Sequence, residues 1–331
     1  MLGMSGEIAV ENLVKTFRVA KRRAGMWGAF TGLVARQERI VRALDGVGFT
    51  IQPGEMVGYI GPNGAGKSTT VKILGGILVP DSGRVEVLGR TPWKDRVATV
   101  RQIGVVFGQR TQLWWDLPVT ESFDLLRDIY DVPAGEYLRN RNELVEWLEL
   151  GRLLDTPVRQ LSLGQRMRCD LAAALLHGPK ILFLDEPTIG LDAVAKLAVR
   201  DFVRQLNRRR GLTVLLTTHD MDDIEALCRR VLVIHRGRIM VDGTLEDLRQ
   251  RVTPERRLIV DLLEEDGDVR DPHAEVIARA GSRITLRYDP NQTATADLIA
   301  RVTAAHRIRD LSVEDPPIEE IIARLYRSAG G

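Results

Sequence analysis

The stretch "GPNGAGKST", Gly61 to Thr69, concentrates the residue types that handle phosphate. It fits G-x-x-x-x-G-K-[ST] through Gly61, Gly66, Lys67 and Ser68, directly after an apolar run and before a helical pattern. Glycines at this spacing let backbone N–H groups close around a phosphate while the helix N-terminus faces the negative charge, which is the P-loop arrangement. Lys67 would then reach the β and γ phosphates of a nucleotide, and the Ser68 hydroxyl would coordinate Mg2+. A second cluster, "ILFLDEP", ends an apolar run in Asp185 and Glu186. A nucleotide site needs a strand-end carboxylate for the metal, and hydrolysis needs an acceptor for the proton of the attacking water. Asp185 is therefore assigned to Mg2+ and Glu186 to the water. An acid pair after a strand is weak by itself, and it gains force from the P-loop upstream.

These loops have to sit on something. "MVGYIG", "IGVVFG", "KILFLD", "TVLLTT" and "RVLVIH" read as strands, alternating with helical patterns at 67–77, 120–131, 137–150, 164–177, 193–209 and 221–229. That alternation predicts a parallel sheet with crossover helices. The stretch 120–177 carries helical pattern without intervening strands and reads as a helical subdomain inserted into an α/β core. After about residue 250 the texture changes: "RRLIVDLL", "RITLRYD" and "RIRDLSVED" alternate with helical segments, which predicts a small βαβαβα unit and a boundary near 245–255.

Bulk composition narrows the function classes. At 331 residues, one large domain plus a smaller one is the default, and 44% hydrophobic with 28% charged residues is ordinary globular usage. A formal net charge of +2 argues against bulk nucleic-acid or membrane-surface binding as the main activity. Cys169 and Cys228 stand far apart with no CxxC pairing, which suits a reducing compartment and points to neither a disulfide framework nor a zinc site. The most apolar region, from Leu171, is cut by His177, Gly178, Pro179 and Lys180, so the chain is expected not to cross a bilayer. Its start lacks the basic and apolar regions of a secretory signal, and a cytosolic location follows as the default.

Taken together, "GPNGAGKST", "LSLGQ", "ILFLDEP", "GLD" and "TTHD" stand in an order and spacing that resembles the nucleotide-binding subunits of ABC transporters, over about residues 7–245. The resemblance implies a P-loop NTPase fold of ABC type: an α/β domain over 1–245 with a parallel sheet core, antiparallel β, and a helical subdomain at about 112–178, followed by a C-terminal α+β domain at 246–331. It implies ATP and Mg2+, with Gly61, Pro62, Asn63, Gly64, Ala65, Gly66, Lys67, Ser68 and Thr69 around the phosphates. Ser162, Gly164 and Gln165 would clasp the γ-phosphate of an ATP held by a second subunit, so that the site exists only across a head-to-tail dimer. Asp192 would join the two sites, His219 would hold the attacking water with Glu186, and Gln109 would contact Mg2+ or that water. Phe17 is expected to stack on adenine. Leu163 stands where the commoner form of the signature has a second glycine, which would strain the loop if that position required φ > 0.

Between Phe17 and "ALDGVGFTIQPGEM" lies an insertion, about 19–42, in which Met26, Trp27, Phe30, Leu33 and Val34 follow helical spacing. Lys21, Arg22, Arg23, Arg36, Arg39 and Arg42 bracket that stripe, and a basic amphipathic segment fits anionic headgroups or a partner helix as well as its own sheet. In the family, the segment after Gln109 forms a groove for the membrane-spanning subunit, and Trp114 and Trp115 fall there. Within the family the chain most resembles the ABC-2 export type and the viologen exporter group. This implies separate permease subunits, placement at the cytoplasmic face of the membrane, and no nucleic acid. An importer ATPase, or a soluble ABC ATPase without a permease, stays open as the alternative.

Overall fold

The apolar runs form one sheet of order β5-β6-β7-β3-β8-β9. Its strands are β3 (Met56–Ile60), β5 (Ile103–Phe107), β6 (Ile181–Asp185), β7 (Thr213–Thr218), β8 (Arg230–His235) and β9 (Arg238–Thr244). The pairs β5–β6, β6–β7, β7–β3 and β3–β8 are parallel. Strands β3, β6, β7 and β8 are buried along nearly their whole length, which is why they read as continuous apolar runs rather than as an alternation. β9 folds back on β8 through Arg236 and Gly237, both at positive φ, the geometry a two-residue hairpin requires.

This computed structural model describes residues 7–20, 38–252, 255–264 and 269–328, and it divides into two units, Met1–Gly243 and Thr244–Gly331. In the first unit, β1 (Ile8–Ala20), β2 (Glu38–Ile51) and β4 (Ser82–Val87) form an antiparallel sheet of order β2-β1-β4. Its inward side chains, Ile8, Val10, Leu13, Leu44, Val47 and Ile51, join Tyr59 of β3 and Val71, Ile73 and Leu74 of α1 (Lys67–Leu74) in one buried core. The β1–β2 pairing continues to Ala20 and Glu38. The ends of the stretch read as an amphipathic insertion, residues 19–20 and 38–42, are therefore strand, because cross-strand hydrogen bonds claim their backbone. Residues 21–37, with the apolar stripe from Met26 to Val34, lie outside the described residues.

The remaining helices of this unit are α2 (Arg96–Val100), α3 (Val119–Tyr130), α4 (Ala134–Trp147), α5 (Leu163–Leu175), α6 (Ala193–Arg210) and α7 (Met221–Leu227). Helix α1 stops at Leu74, short of the predicted 77, because Gly75 and Gly76 follow and Gly76 takes φ +67°. Helix α4 begins at Ala134, earlier than the predicted 137, since Pro133 pre-sets the backbone at its entry.

The second unit contains α8 (Leu245–Val252), β10 (Arg256–Leu262), β11 (Ala274–Ala280), β12 (Arg283–Tyr288), α9 (Thr295–Ala305), β13 (Ile308–Glu314) and α10 (Ile318–Ser328). Its sheet runs β11-β12-β10-β13, and each of its three pairings is antiparallel. The predicted βαβαβα order is corrected here. "AEVIARA" is strand β11, not helix, because Gly281 at φ +59° and Ser282 turn it directly onto β12. Sheet pairing overrides the helix preference of Ala, Glu and Arg. Leu258, Val260, Leu286 and Tyr288 pack against Leu298 and Val302 of α9 to form this unit's own core.

Candidate functional site

Strand β3 delivers the phosphate loop to the start of α1. Gly66 sits at φ +114°, and a Cβ there would meet the Ala43 carbonyl oxygen at 2.6 Å, so no other residue closes this turn without displacing β2. Lys67 is buried, with Nζ donating to Gly61 O at 2.6 Å and to Pro62 O at 3.3 Å. Burial lowers its pKa, and the Glu186 and Asp185 carboxylates pull it back up. Two of the three ammonium protons are thus committed to the loop, which fixes the direction of the third.

Ser68, on the first turn of α1, donates to Asp185 Oδ1 at 3.2 Å, and the Thr217 hydroxyl donates to the same oxygen. A hydroxyl and a carboxylate converging in this way are hard oxygen donors. Among the described residues no group of three or more His, Cys, Asp or Glu could hold a metal ion. The set would suit a hard divalent cation such as Mg2+.

Glu186 follows immediately, at φ +57°, rare for a residue with a side chain. Its N–H donates to Thr217 O at 2.8 Å, which holds that conformation against β7. His219 Nδ1 lies 3.5 Å from Glu186 Oε1, with the imidazole 59% exposed and the carboxylate 19% exposed. Gly108 N donates to Asp185 O at 2.8 Å, and a Cβ on Gly108 would fall 1.8 Å from Glu186 O. The glycine before Gln109 therefore lets β5 and β6 end side by side, with Gln109 next to the acid pair.

These elements enclose a cleft of about 940 Å3. It is lined by Gly61, Pro62, Asn63, Gly64, Ser68, Gln109, Asp185, Glu186 and His219 among the residues singled out from sequence. Lys72, Arg110, Ile77 and Ile189 also line it, and sequence reasoning missed them. Lys72 had a signal: it follows Ser68 by four residues on α1, a spacing that places both on one helix face. The fold does not bring Phe17 to this wall. Phe17 is half-buried on β1 opposite Val41, with the Lys15 ammonium 5.7 Å from its ring centroid.

Ser162, Gly164, Gln165 and Asp192 lie elsewhere as well. Ser162 is exposed and caps α5: Gln165 N donates to Ser162 Oγ at 3.3 Å, and Ser162 N donates to Gln165 Oε1 at 2.9 Å. This reciprocal capping box uses the serine oxygen as acceptor and leaves its O–H free to donate outward. Leu163 enters the helix with negative φ, so the missing second glycine strains nothing. The Leu163 side chain lies against Gly190, and a Cβ on Gly164 would be 3.1 Å from Ala195 Cβ, so this loop packs on the start of α6. Asp192 caps α6, accepting from Ala195 N at 2.8 Å, and is itself exposed.

Trp114 and Trp115 are 38% and 52% exposed. Their backbone is pinned: Trp114 N donates to Ser122 Oγ at 3.2 Å, and Trp115 O accepts from Arg159 N at 3.0 Å. Just upstream, Thr111 Oγ1 at 2.8 Å and Gln112 N at 3.1 Å donate to buried Asp170 of α5. Desolvation raises the Asp170 pKa to about 6, against the hydrogen bonds that lower it. Its folded pKa exceeds the unfolded one, so this group's contribution to stability is present below about pH 4 and is lost as pH rises through about 6. Asp170→Asn, which keeps the shape and an acceptor, is therefore expected to raise stability at pH 8 by about 1 kcal/mol or more and to flatten the loss between pH 4 and 7. Thermal melts across that range check it, and an unchanged pH profile refutes it.

Similarity to known proteins follows this geometry. The ABC transporter family model matches residues 44–189. A Nod factor export ATP-binding protein I of Burkholderia thailandensis is 35% identical over 280 residues, spanning 82% of this chain and 90% of that protein. The chain belongs to the ATP-binding subunits of ABC transporters. A methionine import ATP-binding protein of Geobacillus kaustophilus is 39% identical over 207 residues, 61% of this chain and 60% of that one. Among solved structures, a dimeric ATP-binding cassette in a post-hydrolysis state with ADP and Pi superposes with a TM-score of 0.60 at 29% identity, covering 72% of this ABC subunit and 98% of that chain. The fold is thus the P-loop ATPase fold of ABC cassettes, and the subunit is an ATPase.

Proposed function

We propose that this ABC ATPase hydrolyses MgATP at composite sites shared by two copies of itself, and that it drives export through a separate permease of ABC-2 type, in the viologen exporter group. One observation carries the composite site: the cleft holds the phosphate loop, Asp185, Glu186 and His219, whereas Ser162 is exposed, Leu163 to Gln165 are half-buried, and none of the four lines it. A free serine O–H beside a helix N-terminus makes a phosphate contact but is too few donors for a site of its own. Docked head to tail, each copy would supply to its partner what its own cleft lacks, with Asp192 at the join.

In this reading Lys67 and the loop amides would bind the β and γ phosphates, and Ser68 and Asp185 would hold Mg2+, whose charge would offset that developing on the phosphate oxygens. Glu186 accepts the proton of the attacking water, and His219 and Gln109 orient it. Phe17 is assigned to adenine. Export is supported by the extent of the similarity. A match over 82% of the chain is longer than residues 1–243, so the relationship to the export protein continues into the second unit, whereas the 61% match to the import protein is short enough not to require it. We assign residues 246–331 to an accessory domain that braces the dimer or modulates hydrolysis. The second copy and the permease are the partners, at the cytoplasmic face of the membrane. Among the described residues no helix is long and apolar enough to cross it.

The permease is assigned to the loop that carries Trp114 and Trp115, with residues 21–38 as a second contact. Half-exposed tryptophans on a pinned backbone are pre-organised anchors, and truncating one such anchor often costs about 2 kcal/mol or more of binding. Trp114→Ala with Trp115→Ala is expected to lower co-purification with the permease and to abolish substrate-stimulated hydrolysis, while ATP affinity stays within about twofold. Transport at the normal rate with normal permease affinity refutes the assignment.

A further inference from the structure

One buried carboxylate ties together the segments that carry Glu186, Asp192 and His219. Asp223 of α7 is fully buried, and Arg200 Nε of α6 donates to its Oδ1 at 2.5 Å. Its Oδ2 accepts from the Thr188 hydroxyl, two residues beyond Glu186, and from Thr218 Oγ1 at 3.3 Å, the residue before His219. Thr218 Oγ1 in turn accepts from Asp220 N at 3.0 Å, on the far side of His219. Arg200 Nη2 also reaches Asp220 Oδ1 at 3.3 Å, and Lys196 donates to the other oxygen of Asp220. Helix α6 starts directly after Asp192. Three pieces of chain, carrying Thr188, Arg200 and Thr218, thus share one carboxylate, and none of the groups that bind it lines the cleft.

Fold stability alone does not call for this arrangement, because a buried ion pair recovers little more than its desolvation cost and an apolar cluster would hold the same elements together. A fully satisfied polar network instead restricts its members to one geometry. We propose that Asp223, through Arg200, is a positioning residue for hydrolysis. It sets the backbone on both sides of His219, and the loop after Glu186, relative to Asp192, so that the water-holding pair and the dimer joint keep one register. The inference rests on the reading of Glu186 and His219 as that pair.

The test is steady-state hydrolysis of MgATP by the full chain together with its thermal midpoint. Asp223→Asn keeps shape and acceptor but loses the charge; it is expected to lower kcat by about tenfold or more while KM for ATP changes by less than about threefold. Adding Arg200→Gln removes the buried cation that Asp223→Asn leaves paired only with Asp220 and, at 4.0 Å, Asp222. The double variant is expected to melt closer to wild type while kcat stays low, a separation that a merely structural role would not produce. Should Asp223→Asn not fold, Arg200→Lys, which keeps the charge and loses the bond geometry, carries the same comparison. Wild-type kcat in a folded variant, or kcat and melting temperature that fall and recover together, overturns the proposal. Glu186→Gln is run alongside. If it still hydrolyses ATP, the reading of the site fails and this inference with it; if it is inactive while Asp223→Asn is not, only this inference falls.

Discussion

Glu186→Gln is expected to reduce kcat for ATP hydrolysis by about 10²- to 10³-fold while leaving nucleotide affinity nearly intact. The amide has the shape of the carboxylate, so it can keep the positive-φ backbone at residue 186 and the N–H bond to Thr217 O. It cannot take up the proton of the attacking water. Because ATP would still bind and clamp the exposed Ser162 loop of a second copy, the variant is also expected to accumulate as a nucleotide-bound dimer. Light scattering with and without MgATP reads that accumulation. Turnover within about threefold of wild type would remove Glu186 from the role of base.

Gly108→Ala is expected to lower turnover with no chemical group removed. A methyl at this position falls 1.8 Å from Glu186 O and 2.7 Å from Glu186 C, atoms that no rotamer change can move. The neighbouring backbone is committed on both sides, through Gly108 N to Asp185 O and Glu186 N to Thr217 O. The ends of β5 and β6 would have to part, which moves Gln109 away from the acid pair. Overpacking of this kind costs about 1–3 kcal/mol, and displacement of the reacting groups lowers kcat by about tenfold or more. Gly135→Ala is the control. It lies on α4, where a methyl meets only the tip of the Arg139 side chain at 3.9 Å, so wild-type activity and equal or higher stability are expected. A Gly108→Ala protein with unchanged melting temperature and turnover would show that the close approach of β5 to Glu186 is not required.

The parts of the site that lie on contiguous chain were readable because their chemistry is local. A phosphate loop needs glycines, a lysine and a hydroxyl within a few residues, between a strand and a helix, and Gly61 to Ser68 are laid out in that way. Fully buried strands betray themselves as unbroken apolar runs, so β3, β6, β7 and β8 were evident. Edge elements were not. β11 carries helix-forming residues, is largely exposed, and is a strand only because β12 offers it hydrogen bonds. The capping box between Ser162 and Gln165 is written in the sequence as S-x-x-Q, but the same residues also fit a phosphate-binding loop, and the sequence does not choose between them.

The amino-acid order by itself determined the kind of chemistry, because nucleotide phosphates are held by backbone geometry that short motifs encode, and it determined the family through five motifs in fixed order. Only the tertiary structure decided which of those motifs share a wall. It placed Gln109, Asp185, Glu186 and His219 around one cleft and left Ser162 and Asp192 facing outward. It also brought Asp223 and Arg200, 23 residues apart on different helices, together in the interior. The reason is physical: burial and long-range pairing depend on which helix faces meet, and helical periodicity specifies a face without naming its partner.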